Sequence, residues 1–300
     1  MTTREGLKRQ GNDMRRRLFG DDRLQGAADG SPDLLRTVDT EATYGAIWSR
    51  PGLALDDRMV CALAALAACQ RLRQFKRHTD AALRLGLSAR SIVEIAIQIG
   101  IYAGFTASED AIEIAREVFI VRGARVDDEG QRDDSLDALS NRGGDLMKQL
   151  HGDRATQGYA APGNDITGEL YPLAIQYGYG EIWFRPGLDL RQRALVAVAA
   201  FTALKLDGQV KKFGQSALNM GLSRTEVIEA VIQITDRRAL PSRREQDHPD
   251  RRVALGAIMH RPGRGARCRL RLAIASDWRQ FFVAPTGPWR GGLAPTRASS

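Results

Sequence analysis

Cysteine, histidine and aromatic residues are scarce here: three Cys, four His and 6% aromatics in 300 residues. Cys61, Cys69 and Cys268 form neither a Cys-x-x-Cys pair nor a disulfide framework, which fits a reducing compartment. His151, His248 and His260 stand at no ligand spacing from a carboxylate or cysteine, so no metal is expected. No run approaches the ~18 apolar residues of a membrane span. The N-terminus, Met1-Thr2-Thr3-Arg4-Glu5, lacks the apolar stretch of a signal peptide, so the expectation is a soluble, cytoplasmic protein with no membrane partner. No alternating β-branched run is long enough for a strand, and no Gly-rich phosphate loop follows one. The 43% apolar content is enough for two ordinary cores or one duplicated core.

One stretch is written twice. Residues 44–99 and 179–234 align without a gap at an offset of 135, with 25 of 56 positions identical. Leu7, Gly11, Asp13, Leu18, Gly20 and Asp21 reappear as Leu139, Gly143, Asp145, Leu150, Gly152 and Asp153, now at an offset of 132. A period this long means two domain-sized copies rather than a solenoid. Between them the stretch from Arg122 to Asp134 is polar and charged and reads as an exposed connector. The domains are therefore expected at 1–121 (repeat 1), 122–134 (linker), 135–235 (repeat 2, incomplete) and 236–300 (tail).

Repetition ends near residue 235, and composition changes with it. Residues 236–300 hold 14 Arg, no Lys and 5 acidic residues, a net of +9, which leaves −1 for residues 1–235 of a chain whose total is +8. The high isoelectric point belongs to the tail alone. Two readings of this Arg-rich, irregular tail stand open. One is a basic arm for nucleic acid or an anionic membrane. The other is an out-of-register translation that replaced the end of repeat 2, in which case nucleic acid is no partner. If the end of repeat 2 is lost, Val227, Ala230, Val231 and Ile234 should present an exposed apolar face.

The rest reads as helix. Ile92, Ile95, Ala96 and Ile99 fall on one helix face, with Ser88 as N-cap, and Ser223 with Glu226 forms a capping box in the second copy. A helix from about Arg73 to Leu85 ends at Gly86, placed for the left-handed position after a helix, as Gly221 is in repeat 2. The Ala-rich run from Arg58 to Cys69 would let neighbouring helices approach closely. Tyr44, Trp48, Tyr179 and Trp183 lie at helical spacing and read as core. The expected fold class is all-α, a helical bundle built twice.

Arg58, the Ala-rich run, Gln74, His78, Ala82-Leu83-x-x-Gly86-Leu87-Ser88, Glu94, Gln98 and Tyr102-x-Gly104 resemble the carboxymuconolactone decarboxylase family, which includes the AhpD-like alkylhydroperoxidases. The resemblance covers about 80 residues of repeat 1 and three quarters of that span in repeat 2. It implies two tandem AhpD-like bundles and assembly as a homo-oligomer. It also implies loss of CO₂ from a small carboxylated lactone or related acid, without cofactor or metal.

His78 is the sharpest catalytic candidate. An imidazole titrates near neutrality, and Gln74, one turn earlier on the same face, is placed to orient it or to bind a substrate oxygen. Repeat 2 has Phe213 where His78 stands, yet keeps Gln209. Arg58 and Arg193, like Glu94 and Glu229, occur in both copies, which suggests a scaffold contact, with Arg58 as the alternative clamp for a substrate carboxylate. Tyr102 is assigned to the substrate site through the family's Tyr-x-Gly element. The peroxidase members resemble Cys-x-x-Cys-x-x-x-His, but Arg71 and Gln74 occupy the two cysteine positions, so a dithiol mechanism lacks its residues. An alkylhydroperoxidase/peroxiredoxin-like activity and a non-catalytic assembly role stand as alternatives.

Overall fold

The computed structural model describes residues 3–20, 33–127, 133–156 and 170–234. The Arg-rich tail, and both readings of it, lie outside the described residues. Those residues hold no strand. Repeat 1 consists of α1 (Arg4–Phe19), α2 (Asp33–Val38, continued by π-helical turns over Asp39–Trp48), α3 (Leu55–Ala68), α4 (Leu72–Arg84), α5 (Ala89–Ala103) and α6 (Phe105–Arg122). Repeat 2 consists of α7 (Leu136–His151), α8 (Tyr171–Leu173, continued by π-helical turns over Ala174–Glu181), α9 (Leu190–Ala203), α10 (Asp207–Asn219) and α11 (Arg224–Ile234). No helix of the described residues is long and apolar enough to cross a membrane.

Local chemistry sets the boundaries. The Ser88 hydroxyl accepts from the Ser91 N–H at the start of α5. Ser223 and Glu226 satisfy each other's backbone N–H at the start of α11. Helix α4 closes through Gly86, whose φ of 94° is open to glycine without strain. The N–H groups of Gly86 and Leu87 then return to the carbonyls of Leu83 and Ala82.

The π-helical turns were not legible in the sequence, but their packing explains glycines shared by both copies. A Cβ on Gly11 would stand 2.0 Å from the Thr40 carbonyl oxygen, and one on Gly45 2.3 Å from that of Leu7. Gly143 and Gly180 repeat the arrangement, each 2.2 Å from a carbonyl of the facing element. The first helix of each repeat thus lies backbone to backbone on the wide-turned segment.

The two repeats share one core. Helices α3 and α9 pack against each other, α5 crosses onto α9, and α11 crosses onto α3. Small side chains from Ala62 to Ala68 and from Ala197 to Ala200 allow that close approach, and all of them are buried. The crossing overturns the expectation of an exposed face on α11. Val227, Ala230 and Ile234 are buried and Val231 is half-buried, on a helix that packs against α9 of its own repeat and α3 of the other.

Candidate functional site

His78 sits in the middle of α4 with no exposed surface. Its ring meets Phe19 of α1 edge-on at 5.5 Å between centroids and lies 6.1 Å from Trp48. Nδ1 is 2.8 Å from the main-chain carbonyl of Gln74. A carbonyl only accepts, so Nδ1 is a nitrogen that carries a proton. The orienting group is therefore the backbone of Gln74. Its amide side chain is exposed, contrary to the expectation that the amide would share the site. Two cations that sequence reasoning missed border this ring cluster: Arg77 stacks 4.0 Å over Phe19, and Arg15 lies 5.3 Å over Tyr44.

Repeat 2 turns out not to lack an imidazole. His151, the last residue of α7, stands opposite Phe19 in the 132-residue alignment, and Phe213 stands opposite His78. The two rings have exchanged helices. His151 meets Phe213 edge-on at 5.2 Å and 83°, almost the geometry of Phe19 with His78. Comparing the copies pair by pair, rather than position by position, would have revealed the exchange.

The surroundings of His151 form a directed relay. Ser216 Oγ donates to the Lys212 carbonyl at 3.0 Å, so it accepts from His151 Nδ1 at 2.8 Å. The unprotonated Nε2 then accepts from the Tyr179 hydroxyl at 3.2 Å. Burial foremost, with the charges of Lys212 and Arg154 adding, pushes this imidazole down to about 3, so it stays neutral at ordinary pH.

Arg58 and Tyr102 lie elsewhere. Arg58 is 1% exposed and reaches across the repeats: Nη2 donates to Glu229 at 2.8 Å, and Nη1 to Gln233 at 3.0 Å. It also donates to the Arg50 carbonyl, while Arg50 itself bonds both Glu229 oxygens. Burial works to raise the Glu229 carboxyl, and the two guanidinium groups outweigh it and hold it below the usual range. Arg193 mirrors Arg58, donating to Glu94 at 3.1 Å and to Gln98 at 3.3 Å, with Arg185 in the place of Arg50. The Arg–carboxylate contact thus runs between the repeats, and the clamp role for Arg58 is corrected: both of its terminal nitrogens are engaged in the interface.

Tyr102, at the end of α5, is carried by the crossing into repeat 2. Its ring lies 4.6 Å from Phe201 and 6.3 Å from Phe213. It belongs with His151, whereas the sequence had grouped it with His78. Burial raises its phenol well above the ordinary value.

A cavity of about 960 Å³ opens there, between the Gly100–Phe105 end of repeat 1 and helices of repeat 2. Phe213 and Gln209, the counterparts of His78 and Gln74, line it, as do Tyr102, Tyr179 and Trp183.

Thiol chemistry has little to build on among the described residues. Cys61 is buried inside α3, and burial foremost raises its thiol far above the usual range. Cys69 is half-buried and contacts the Ala203 carbonyl. No cluster of the described residues could hold a metal ion.

The sequence pattern of the carboxymuconolactone decarboxylase family matches residues 32–117 and 168–245, more than half of the chain. The chain belongs to that family. It is similar to the 4-carboxymuconolactone decarboxylase of Acinetobacter baylyi, with 27% identity over 114 residues, 37% of this chain and 85% of that protein. It is also similar to the nitrosuccinic acid decarboxylase of Metarhizium robertsii, with 32% identity over 60 residues, 20% of this chain and 42% of that protein.

Proposed function

We propose that this protein is a cofactor-free carboxy-lyase acting on a small carboxylated lactone or related acid, with His78 as the proton donor. The observation that carries the reading is the position of His78. Its counterpart Phe213 lines a ligand-sized cavity, and the His78 ring is held by its Nδ1 contact with the Gln74 carbonyl. Both similar proteins are named as decarboxylases.

In this mechanism the carbon–carbon bond to the carboxylate breaks. Its electron pair moves into the substrate's conjugated carbonyl, and CO₂ leaves. The resulting dienolate takes a proton at carbon from His78 Nε2–H, and solvent restores that proton, so the sum is carboxylate plus H⁺ giving product plus CO₂. Arg77, stacked on the Phe19 ring wall, supplies the positive setting for the anion that Arg58 does not; Arg15, over Tyr44, is already paired with Asp39 at 3.3 Å.

Turnover of 4-carboxymuconolactone, followed by CO₂ release, tests the assignment. His78→Ala should slow it by about 10²-fold or more, the usual weight of a general acid. Gln74→Leu should leave most of the activity, because the main-chain carbonyl stays. Undiminished turnover in His78→Ala removes the imidazole from the mechanism. A peroxide-reduction assay with blocked thiols serves as the control for the alkylhydroperoxidase alternative.

A further inference from the structure

The two ring clusters are near copies, so the cavity of repeat 2 is a template for the surroundings of His78. Tyr44 lies 6.3 Å from Trp48 at 28°, and Tyr179 lies 6.3 Å from Trp183 at 26°. Trp48 lies 6.1 Å from His78 at 35°, and Trp183 lies 6.4 Å from Phe213 at 33°. His78 therefore stands against its tryptophan as Phe213 does on the cavity wall. The backbone agrees where the helices carrying these rings begin. Arg71, before α4, has φ −89° and ψ 60°, and its N–H returns to the Leu66 carbonyl. Leu206, before α10, has φ −94° and ψ 73°, and its N–H returns to the Phe201 carbonyl. The Thr40 and Ile175 carbonyls, each met by a glycine of the repeat's first helix, extend the same register to Arg36 and Tyr171.

Charge is what differs along the matched wall. Leu206 and Tyr171 line the cavity of repeat 2, and Arg71 and Arg36 take their places in repeat 1. Glu181 of the repeat 2 wall becomes Ala46. Asp39 replaces Ala174 and is already engaged by Arg15 at 3.3 Å. Arg15, Arg50, Arg58, Arg185 and Arg193 are all committed to carboxylates. Arg71 and Arg36 make no hydrogen bond or ion pair among the described residues. Each therefore offers a planar fork of donors that matches a carboxylate. Arg77 is not on this wall, since its counterpart Lys212 does not line the cavity.

We propose that Arg71 and Arg36 are substrate-binding residues of the His78 site, and that they hold an acidic group other than the carboxylate that leaves. A guanidinium on the departing carboxylate would stabilise the ground state more than the transition state, where that charge has moved into the conjugated carbonyl. On a carboxylate that persists, the same contact positions the substrate without opposing the cleavage. The chemistry rests on the decarboxylase reading; the anion site rests on the wall alone.

Binding and turnover are measured separately. The binding probes are 5-oxotetrahydrofuran-2-carboxylate, a carboxylated lactone, and its methyl ester, each titrated against the full chain by NMR. The carboxylate should bind about tenfold more tightly than the ester, the weight of one charge-assisted contact. Arg71→Gln should bring the two affinities together, Arg71→Lys should keep part of the difference, and Arg36→Gln should narrow it. Arg73→Gln, which removes an exposed charge from the same helix, should keep all of it. The melting temperature of Arg71→Gln should hold, since no ion pair is lost. With 4-carboxymuconolactone, Arg71→Gln should raise KM by about tenfold and leave kcat near its native value, because the contact is shared by ground state and transition state. A carboxylate preference absent from the native chain, undiminished in Arg71→Gln, or lost in Arg73→Gln would overturn the assignment. If the native chain shows the preference but releases no CO₂, the anion site stands and the decarboxylase reading falls.

Discussion

At the scale of residues, the two copies differ most where an imidazole and a phenyl ring trade places. The sequence shows His78 against Phe213 plainly, and from that substitution alone repeat 2 looks disarmed. The imidazole of repeat 2 comes from another helix, 62 residues earlier in the chain than Phe213, so position-by-position alignment assigns it no meaning. The exchange has a thermodynamic consequence. His151 is held neutral down to about pH 3, whereas in the unfolded chain it takes up a proton near 6.5. Between those values the unfolded state binds one more proton than the folded state, so stability falls as pH is lowered through the window. One proton gives a slope of ~1.4 kcal/mol per pH unit. Urea unfolding from pH 7 to pH 4 should show that loss, and His151→Phe should flatten it. An equal slope in the variant would mean that other groups carry the acid sensitivity.

At the scale of elements, most helices were legible because their signals are local: the Ser88 and Ser223 caps, the Gly86 stop and the apolar face of α5. Retention of Arg58, Arg193, Glu94 and Glu229 in both copies also pointed to a scaffold contact. Which helix met which was not legible, because an alignment of copies states equivalence, not contact. The structure pairs each Arg with the Glu of the other copy. The sequence had the right residue types and attached Arg58 and Tyr102 to the wrong neighbours, since it offers no sign that α5 and α11 cross over. The pairing makes these ions mutually dependent. Arg193 and Glu94 have no exposed surface, and Arg193 holds its proton less firmly than an exposed arginine, burial being opposed by Glu94. Removing one partner strands the other charge, at a cost of about 3–5 kcal/mol. Glu94→Ala should therefore lower the unfolding free energy measured in urea by that amount, while the double variant Arg193→Met with Glu94→Leu should recover most of it. A loss below about 1 kcal/mol in Glu94→Ala would show that water reaches the pair and screens it.

At the scale of the whole molecule, the reciprocal ion pairs and the α3–α9 contact make the chain a dimer of its own halves, related as two subunits of a symmetric pair would be. Besides the ring exchange, the relation fails at the amide that ends each ion-pair network. Gln98 Nε2 donates to Tyr102 and to the Arg193 carbonyl, whereas its counterpart Gln233 Nε2 has no partner among the described residues. Tyr102 corresponds to position 237, beyond the point where repetition ends, so the hydroxyl that receives the Gln98 amide has no counterpart in the repeated sequence. The contacts between the halves among the described residues, those of α3, α5, α9 and α11, lie N-terminal to that break. The connector should then be dispensable once the chain has folded. With a protease site introduced between residues 128 and 132, cleavage of the folded protein should yield two fragments that travel together on size exclusion and melt in one transition. They should come apart when Glu94→Ala and Glu229→Ala are combined, since both reciprocal pairs are then broken. If the uncombined fragments separate on their own, the halves are held by the tether rather than by the core, and the composite cavity loses the wall that repeat 1 lends to repeat 2.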